Sequence, residues 1–282
     1  MIPSTFRYVR PATLKEALGF LEDPEAKALA GGQSLLPLLR LRMAEPGLLV
    51  DLQDITELQG VQLEADSVRL GALLRHAELA QAAPWRLLRE AAEATGDRQV
   101  RRLGTIGGAT AHADPAGDLP AALLAIGATV EIEGPGGRRE MPIGGFFLGP
   151  LTTALATDEI LTGLRLPLPT QGSGSSYRKL RQKASGFALA GVGAMVRLEA
   201  GRCVDAGIGV TGVGLAPYAA DAARDRLLGT PLAPGDIDAA LEMILDGVDV
   251  QGDAYASADY RSSMCRLCAL QAIESARAQA LG

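Results

Sequence analysis

The stretch AGGQSLLPLLRLR, residues 30–42, sets two glycines and two polar residues directly ahead of a run of leucines. Residues 26–30 read as a short buried strand. Ser34 stands where an N-cap stands for a helix over 35–43, and Pro37 falls in its first turn, where a missing N–H does no harm. A strand that ends in Gly-Gly and runs into a capped helix points several backbone N–H groups at one place. The helix dipole adds positive potential there, ~0.3–1 kcal/mol toward an anion. Ala30 leads into the corner, and without Cβ atoms at Gly31 and Gly32 a phosphate can reach the backbone. Gln33 and Ser34 offer side-chain hydrogen bonds, and Leu35 begins the helix. The corner suits a pyrophosphate; a turn that only reverses the chain is the competing explanation.

Working outward, Thr13 and Glu16 form a capping box for a helix through 21, and 48–52 is a strand. The order helix, strand, loop, helix, strand predicts a small parallel βαβ unit. Beyond it lie a strand over 67–72, a helix over 87–95 stopped by Gly96, and a helix over 119–126 that Asp118 can cap. A hairpin joins 129–133 to 138–142 around GPGG, and 159–166 is a further strand. TQGSGSS, residues 170–176, has the composition of a linker. After it, 177–180, 188–198 and 202–213 read as a three-stranded antiparallel meander with a hairpin at Ala200-Gly201. Helices follow over 219–228, 236–245 and 261–280. The class is α+β, with expected units at 1–58, 59–170 and 177–282.

Composition narrows the function. Of 282 residues 48% are apolar, enough for substantial cores, and a net charge of −6 makes nucleic acid or an anionic membrane a poor partner. The longest apolar run, 119–130, is too short to span a bilayer, and the first residues show no apolar signal region. A cytoplasmic protein is expected. Its three cysteines cannot supply the four thiolates of an ordinary iron–sulfur cluster.

A second motif, GTIGGATAHADPAGDLP at 104–120, changes the odds on the first. Thr105, Ile106, Gly107 and Gly108 repeat the logic of a hydroxyl beside two glycines, followed by Ala109, His112, Asp114 and Asp118. Carboxylates repel phosphate but accept hydrogen bonds well from ribose or ribitol hydroxyls. One loop for a diphosphate and one for sugars implies a dinucleotide.

The two motifs, in this order and spacing, resemble the FAD-binding medium subunit of molybdenum hydroxylases, the family of aerobic carbon monoxide dehydrogenase, xanthine dehydrogenase and the bacterial N-heterocycle and nicotine dehydrogenases. The likeness extends through MIPSTFRYVRP, LVDL, GALLRHAEL, TDEILTGLRLP, YRKLRQK and SADYRSSM. It implies a two-subdomain FAD-binding fold of the vanillyl-alcohol-oxidase (PCMH-like) type, followed by a C-terminal domain of a three-stranded antiparallel sheet and helices. It implies that 30–35 and 105–109 hold the FAD phosphates and adjoining sugar, that Asp118 binds cofactor hydroxyls with Asp114 nearby, and that Leu161 touches the flavin or adenine region through its backbone. Lys179 would lie near the isoalloxazine. Two departures stand out: Ala109 where the family often has Asn, and Gly186-Phe187 where it often has Asp followed by an aromatic. Phe187 can still pack against a flavin.

The implied function is an FAD-carrying electron-transfer subunit of a heterotrimeric oxidoreductase. A large partner would hold the molybdenum cofactor and a small partner two-iron clusters, the whole a dimer of heterotrimers. Electrons would leave FAD for quinone, oxygen, NAD or another acceptor. Two rivals are a self-contained FAD-dependent oxidoreductase of the same fold and a non-redox assembly scaffold.

Other signals carry less. Gly207 to Gly212 fits GxGxxG, but no helix follows, so a glycine-rich strand is the preferred reading over a nicotinamide site. Cys265 and Cys268 are read as helix core rather than zinc ligands, and His76 as structural. His112 either bonds the cofactor or shapes its loop. Arg98, Arg101 and Arg102 form a solvated face or a positive patch toward the diphosphate or a partner.

Overall fold

In the computed structural model, which describes residues 2–282, the Thr13 hydroxyl accepts the Glu16 N–H at 3.2 Å while the Glu16 carboxylate accepts the Ala12 N–H. This reciprocal cap opens α1 (Leu14–Leu21), which follows β1 (Arg7–Val9). Next come β2 (Ala26–Leu29), α2 (Leu35–Leu41) and β3 (Leu48–Asp51). The strands form a parallel sheet in the order β1-β3-β2, the βαβ unit expected, with β1 added at an edge. β1 is three residues long and largely exposed, too short for its alternation to register in sequence. Leu14, Ala17, Leu48, Val50 and Ile55 make the core of this unit.

The second unit begins with β4 (Val61–Leu63) and β5 (Ser67–Gly71). Five helices follow: α3 (His76–Ala82), α4 (Arg86–Ala94), α5 (Arg98–Leu103), α6 (Ile106–His112) and α7 (Asp118–Ile126). It closes with β6 (Thr129–Gly134), β7 (Gly137–Pro142), β8 (Phe147–Gly149), β9 (Thr152–Thr153) and β10 (Ile160–Pro167). The large sheet is antiparallel, in the order β4-β5-β10-β6-β7. α7 is buried along its whole length, so its apolar run is a core helix.

The third unit holds β11 (Ser173–Arg181), β12 (Ala188–Glu199), β13 (Arg202–Thr211) and β14 (Tyr218–Ala219), an antiparallel sheet in sequence order. The expected meander is present, its β12–β13 hairpin turning at Ala200-Gly201, both at positive φ, with β14 as an unanticipated fourth strand. α8 (Asp221–Leu227), α9 (Pro234–Glu242) and α10 (Ala258–Leu281) complete it. Cys203, Cys265 and Cys268 are buried free thiols in its core.

Three expectations are corrected. Residues 173–176 are strand, not linker. Gly174 is needed because α10 presses on β11: a Cβ there would lie 1.9 Å from the Ala276 carbonyl oxygen. The neighbouring serines join units, Ser176 donating to Glu90 and the Ser175 hydroxyl accepting the Leu87 N–H. The glycine-rich second motif is not a loop: Thr105 caps α6, its hydroxyl accepting the Gly108 N–H at 3.1 Å. Asp118 does not cap α7. Gly117 holds the cap position and the carboxylate turns into the interior.

The GxGxxG stretch is explained by packing. α7 crosses β13 so closely that a Cβ at Gly207 would meet the Ala125 carbonyl oxygen at 1.9 Å, and one at Gly209 that of Ala121 at 2.0 Å. Backbone contact of this kind cannot relax around a methyl. Gly209→Ala is expected to lower stability by about 1–3 kcal/mol, seen as a lower urea midpoint at constant slope; an unchanged midpoint would refute this helix–sheet contact.

Candidate cofactor site

The first corner lies where β2 leaves its sheet and α2 begins. Gly32 has φ +70°, a left-handed conformation that glycine adopts without strain. The Gln33 amide donates to the Gly31 carbonyl at 3.1 Å, and Leu36 N–H to that of Gly32. Ser34 occupies the cap position, but its side chain makes no capping bond. Among the described residues, the N–H groups of Gly32, Gln33, Ser34 and Leu35 have no protein acceptor. Four neighbouring unpaired donors at a strand–helix junction form an anion cradle.

The second corner faces the first. A Cβ on Gly31 would sit 2.1 Å from the Leu103 carbonyl oxygen and 2.8 Å from Gly104 Cα, and one on Gly108 would lie 3.6 Å from Ala30 Cβ. The two motifs therefore share one wall, although some seventy residues separate them. They do not share one chemistry. Around the second corner Ile106 donates to Leu74, Gly107 to Ala72, Gly108 to the Thr105 hydroxyl and Ala109 to the Thr105 carbonyl. The expected repetition of the first corner's logic is thus corrected: the first offers donors and the second a bare glycine floor. Gly107 has no room for a side chain either, since its Cβ would lie 2.5 Å from that of Ala72.

A cleft of about 540 Å³ runs from this wall, bordered by Gly31, Thr105, Leu103, Gln53 and Arg75. Its size suits a ligand segment rather than a single ion. Arg75 and Gln53 were not legible as site residues. Arg75 is exposed, makes no ion pair among the described residues, and supplies the cleft's cation; its one sequence signal was its place in LLRHAEL. Leu161 lies in β10 one strand behind, where the Thr162 carbonyl accepts the Ala72 N–H at 3.1 Å.

His76 buttresses the second corner. Its Nε2–H donates to the Thr105 carbonyl at 3.0 Å, and Nδ1 is buried without a partner among the described residues. Burial holds its pKa below 6.5, against the pull of that hydrogen bond. His112 at the end of α6 is also shifted down by burial, with Asp114 opposing at 4.0 Å.

Asp118 and Lys179 sit apart from the glycine wall, in the seam between α4, α7 and β11. The Asp118 carboxylate accepts from Lys179 Nζ at 2.8 Å, the Tyr177 hydroxyl at 2.6 Å and Thr95 at 3.3 Å; Lys179 also donates to the Ala94 carbonyl. Both side chains are 5% exposed. Desolvation raises the Asp118 pKa while Lys179 and the hydrogen bonds draw it down, and burial with the adjacent carboxyl raises Tyr177 well above 10.0. Lys179 borders a second cleft, of about 550 Å³, on the far side of α5 beside Arg98, Arg101 and Arg181. Phe187 is 52% exposed beyond β11, one residue from the bond between Ala188 N–H and the Ala116 carbonyl. Asp114 stabilises its own turn, accepting the Ala116 N–H at 2.8 Å. The expected site residues thus form three groups: the glycine wall, the Asp118–Lys179 seam, and the 112–117 turn with Phe187.

Unpaired donors, a side-chain-free floor and an adjoining cleft fit the diphosphate of a dinucleotide, so fold and site define a dinucleotide-cradling chain. Residues 4–169 match the family model for the FAD binding domain in molybdopterin dehydrogenase, and residues 175–276 that for the CO dehydrogenase flavoprotein C-terminal domain. The chain is 36% identical to the carbon monoxide dehydrogenase medium chain of Afipia carboxidovorans over 99% of both. It is 34% identical to the 6-hydroxypseudooxynicotine dehydrogenase complex subunit alpha of Paenarthrobacter nicotinovorans, over 94% of this chain and 92% of that one. It superposes on a chain of carbon monoxide dehydrogenase from Hydrogenophaga pseudoflava with a TM-score of 0.95 at 37% identity, covering 99% of each. The chain belongs to the FAD-binding medium subunits of the molybdenum hydroxylases.

Gly31→Ala is expected to part the two corners and raise the FAD dissociation constant about a hundredfold, equivalent to losing two charge-assisted hydrogen bonds of ~1.4 kcal/mol each. Fluorescence titration with FAD checks this, and a constant unchanged from wild type would refute the cradle. The depressed His76 pKa also sets a pH dependence. Its contribution is intact above 6.5 and is lost as pH falls from there through the folded value, because the unfolded chain takes up a proton that the buried ring resists. Thermal unfolding from neutral pH to about pH 5 should show a shallower decline in His76→Gln than in wild type; identical slopes would exclude His76 as a contributor.

Proposed function

We propose that this chain carries FAD at the junction of the two glycine corners and acts as the electron-transfer subunit of a heterotrimeric molybdenum hydroxylase. A small iron–sulfur subunit delivers electrons to it, and an external acceptor removes them. The observation that carries the reading is the shared wall, with Gly31 against Leu103 and Gly108 against Ala30, beside four unpaired N–H donors. FAD supplies the chemistry of the junction, accepting electrons singly and releasing them singly or in pairs.

The chain's own part is placement. The N–H groups from Gly32 to Leu35 hold the diphosphate, the Gly107-Gly108 floor admits it, and Arg75 adds a positive charge at the cleft. The 112–117 turn, with Asp114 and His112, lies between that floor and the third unit, where Phe187 can cover one face of the ring system. Lys179, fixed by Asp118 and the Ala94 carbonyl, gives the seam a rigid cation. The division of labour among chains agrees with the three cysteines, too few for an iron–sulfur cluster. Relatives named as medium chains and complex subunits support partners of larger and smaller size. The assembly we propose is a dimer of heterotrimers in the cytoplasm. No described helix is long and apolar enough to cross a membrane.

Purification under mild conditions tests this. The expected product is a complex containing flavin, molybdenum and iron, whose light-scattering mass is twice that of one heterotrimer. A flavin-loaded single chain that oxidises substrate unaided would instead identify a self-contained oxidoreductase.

A further inference from the structure

The β12–β13 ladder ends at the pair Gly191–Thr211. Just beyond it, the carbonyls of Leu189 and Gly212 are bridged by one guanidinium nitrogen, Nη1 of Arg261, from the first turn of α10. Arg261 is 8% exposed, and its other terminal nitrogen donates to the Asp253 carboxylate at 2.6 Å. Asp253 is itself held by the N–H groups of Tyr255 and Ala256. A buried guanidinium is costly to desolvate, and here its Nε has no partner among the described residues. An apolar side chain would fill the volume at less cost, so what the guanidinium adds is a rigid fork that joins two strand ends.

Those strand ends hold the cofactor turn. The Gly212 N–H donates to the Pro115 carbonyl at 2.7 Å and the buried Thr211 hydroxyl to the same oxygen at 2.8 Å, while the Ala188 N–H reaches the Ala116 carbonyl at 3.4 Å. Pro115 and Ala116 belong to the short segment that leaves α6 through the left-handed Ala113 and enters α7 at Asp118. The path from Asp253 through Arg261 to Pro115 thus runs through hydrogen bonds joined by the backbone of Gly212, from the third unit to the turn that carries Asp114.

We propose that Arg261 is a positioning residue for flavin binding, fixing the 113–118 turn by pinning the ends of β12 and β13. The proposal rests on the FAD reading above. It predicts a loss of affinity without loss of any contact to the cofactor, because a turn released into several conformations is competent for only a fraction of the time.

The test is FAD titration of the full chain by flavin fluorescence, alongside circular dichroism and thermal unfolding of the same samples. Arg261→Gln and Thr211→Val should each raise the FAD dissociation constant about tenfold, as for a competent fraction reduced to about a tenth. The double variant should be no more than about threefold weaker than either, because both act on one element. Arg261→Lys should recover part of the loss. Asp253→Asn, which leaves the guanidinium in place but frees its far side, should show a smaller effect in the same direction. If Arg261→Gln does not fold, Thr211→Val and Asp253→Asn decide the matter. Folded variants that bind within about twofold of wild type, even with a lowered melting temperature, would make Arg261 purely structural, and strictly additive losses would overturn its action through the turn that Thr211 holds. A wild-type chain that takes up no FAD overturns the flavin reading and this proposal with it; a wild type that binds, with variants to match, overturns this proposal alone.

Discussion

The approach of one backbone to another at Gly31 governs the site. With 2.1 Å between an added Cβ and the Leu103 carbonyl oxygen, no side chain can stand there. That single exclusion seats the first unit against the second and leaves the donors of Gly32 to Leu35 beside the Thr105–Gly108 floor. A larger residue would separate the units by roughly the width of the group it introduced. The donors would survive, and the wall they stand on would be lost.

Around this contact the chain divides its labour by hydrogen-bonding state. The first corner keeps its half-exposed N–H groups without a protein acceptor among the described residues, open to water or to an anion. The second corner spends its N–H groups on Leu74, Ala72 and Thr105, gaining a rigid surface against which the first can work. His76 stiffens that surface from behind as a neutral, buried ring. Further away, the Asp118–Lys179 pair ties α7 to β11, so the second and third units cannot slide past each other without leaving a buried charge unpaired.

Much of the third unit's architecture comes from glycine as absence. Gly174, Gly207 and Gly209 let α10 and α7 lie against the sheet with carbonyl oxygens where Cβ atoms would otherwise be. One of them misled the reading of the sequence: Gly174 among serines had the composition of a flexible linker. Gly207 with Gly209 had the outline of a nucleotide fingerprint, but with no helix following, the strand reading was preferred and the structure has a strand there. Local composition records that a side chain is missing but not what occupies its place, and here the occupant is always a helix distant along the chain.

The amino-acid sequence by itself determined the parallel βαβ start, the meander and most helices, because periodicity and caps are local properties written within a few residues. It also marked both glycine corners and, through their likeness to a known family, the cofactor. Only the tertiary structure decided that 104–112 contains a helix, that Asp118 faces Lys179 instead of capping α7, that Arg75 stands at the cleft, and that the two corners differ in chemistry. Each of these depends on which partner a polar group finds across the fold, and a hydrogen bond between residues seventy or a hundred positions apart leaves no local trace in the residues that make it.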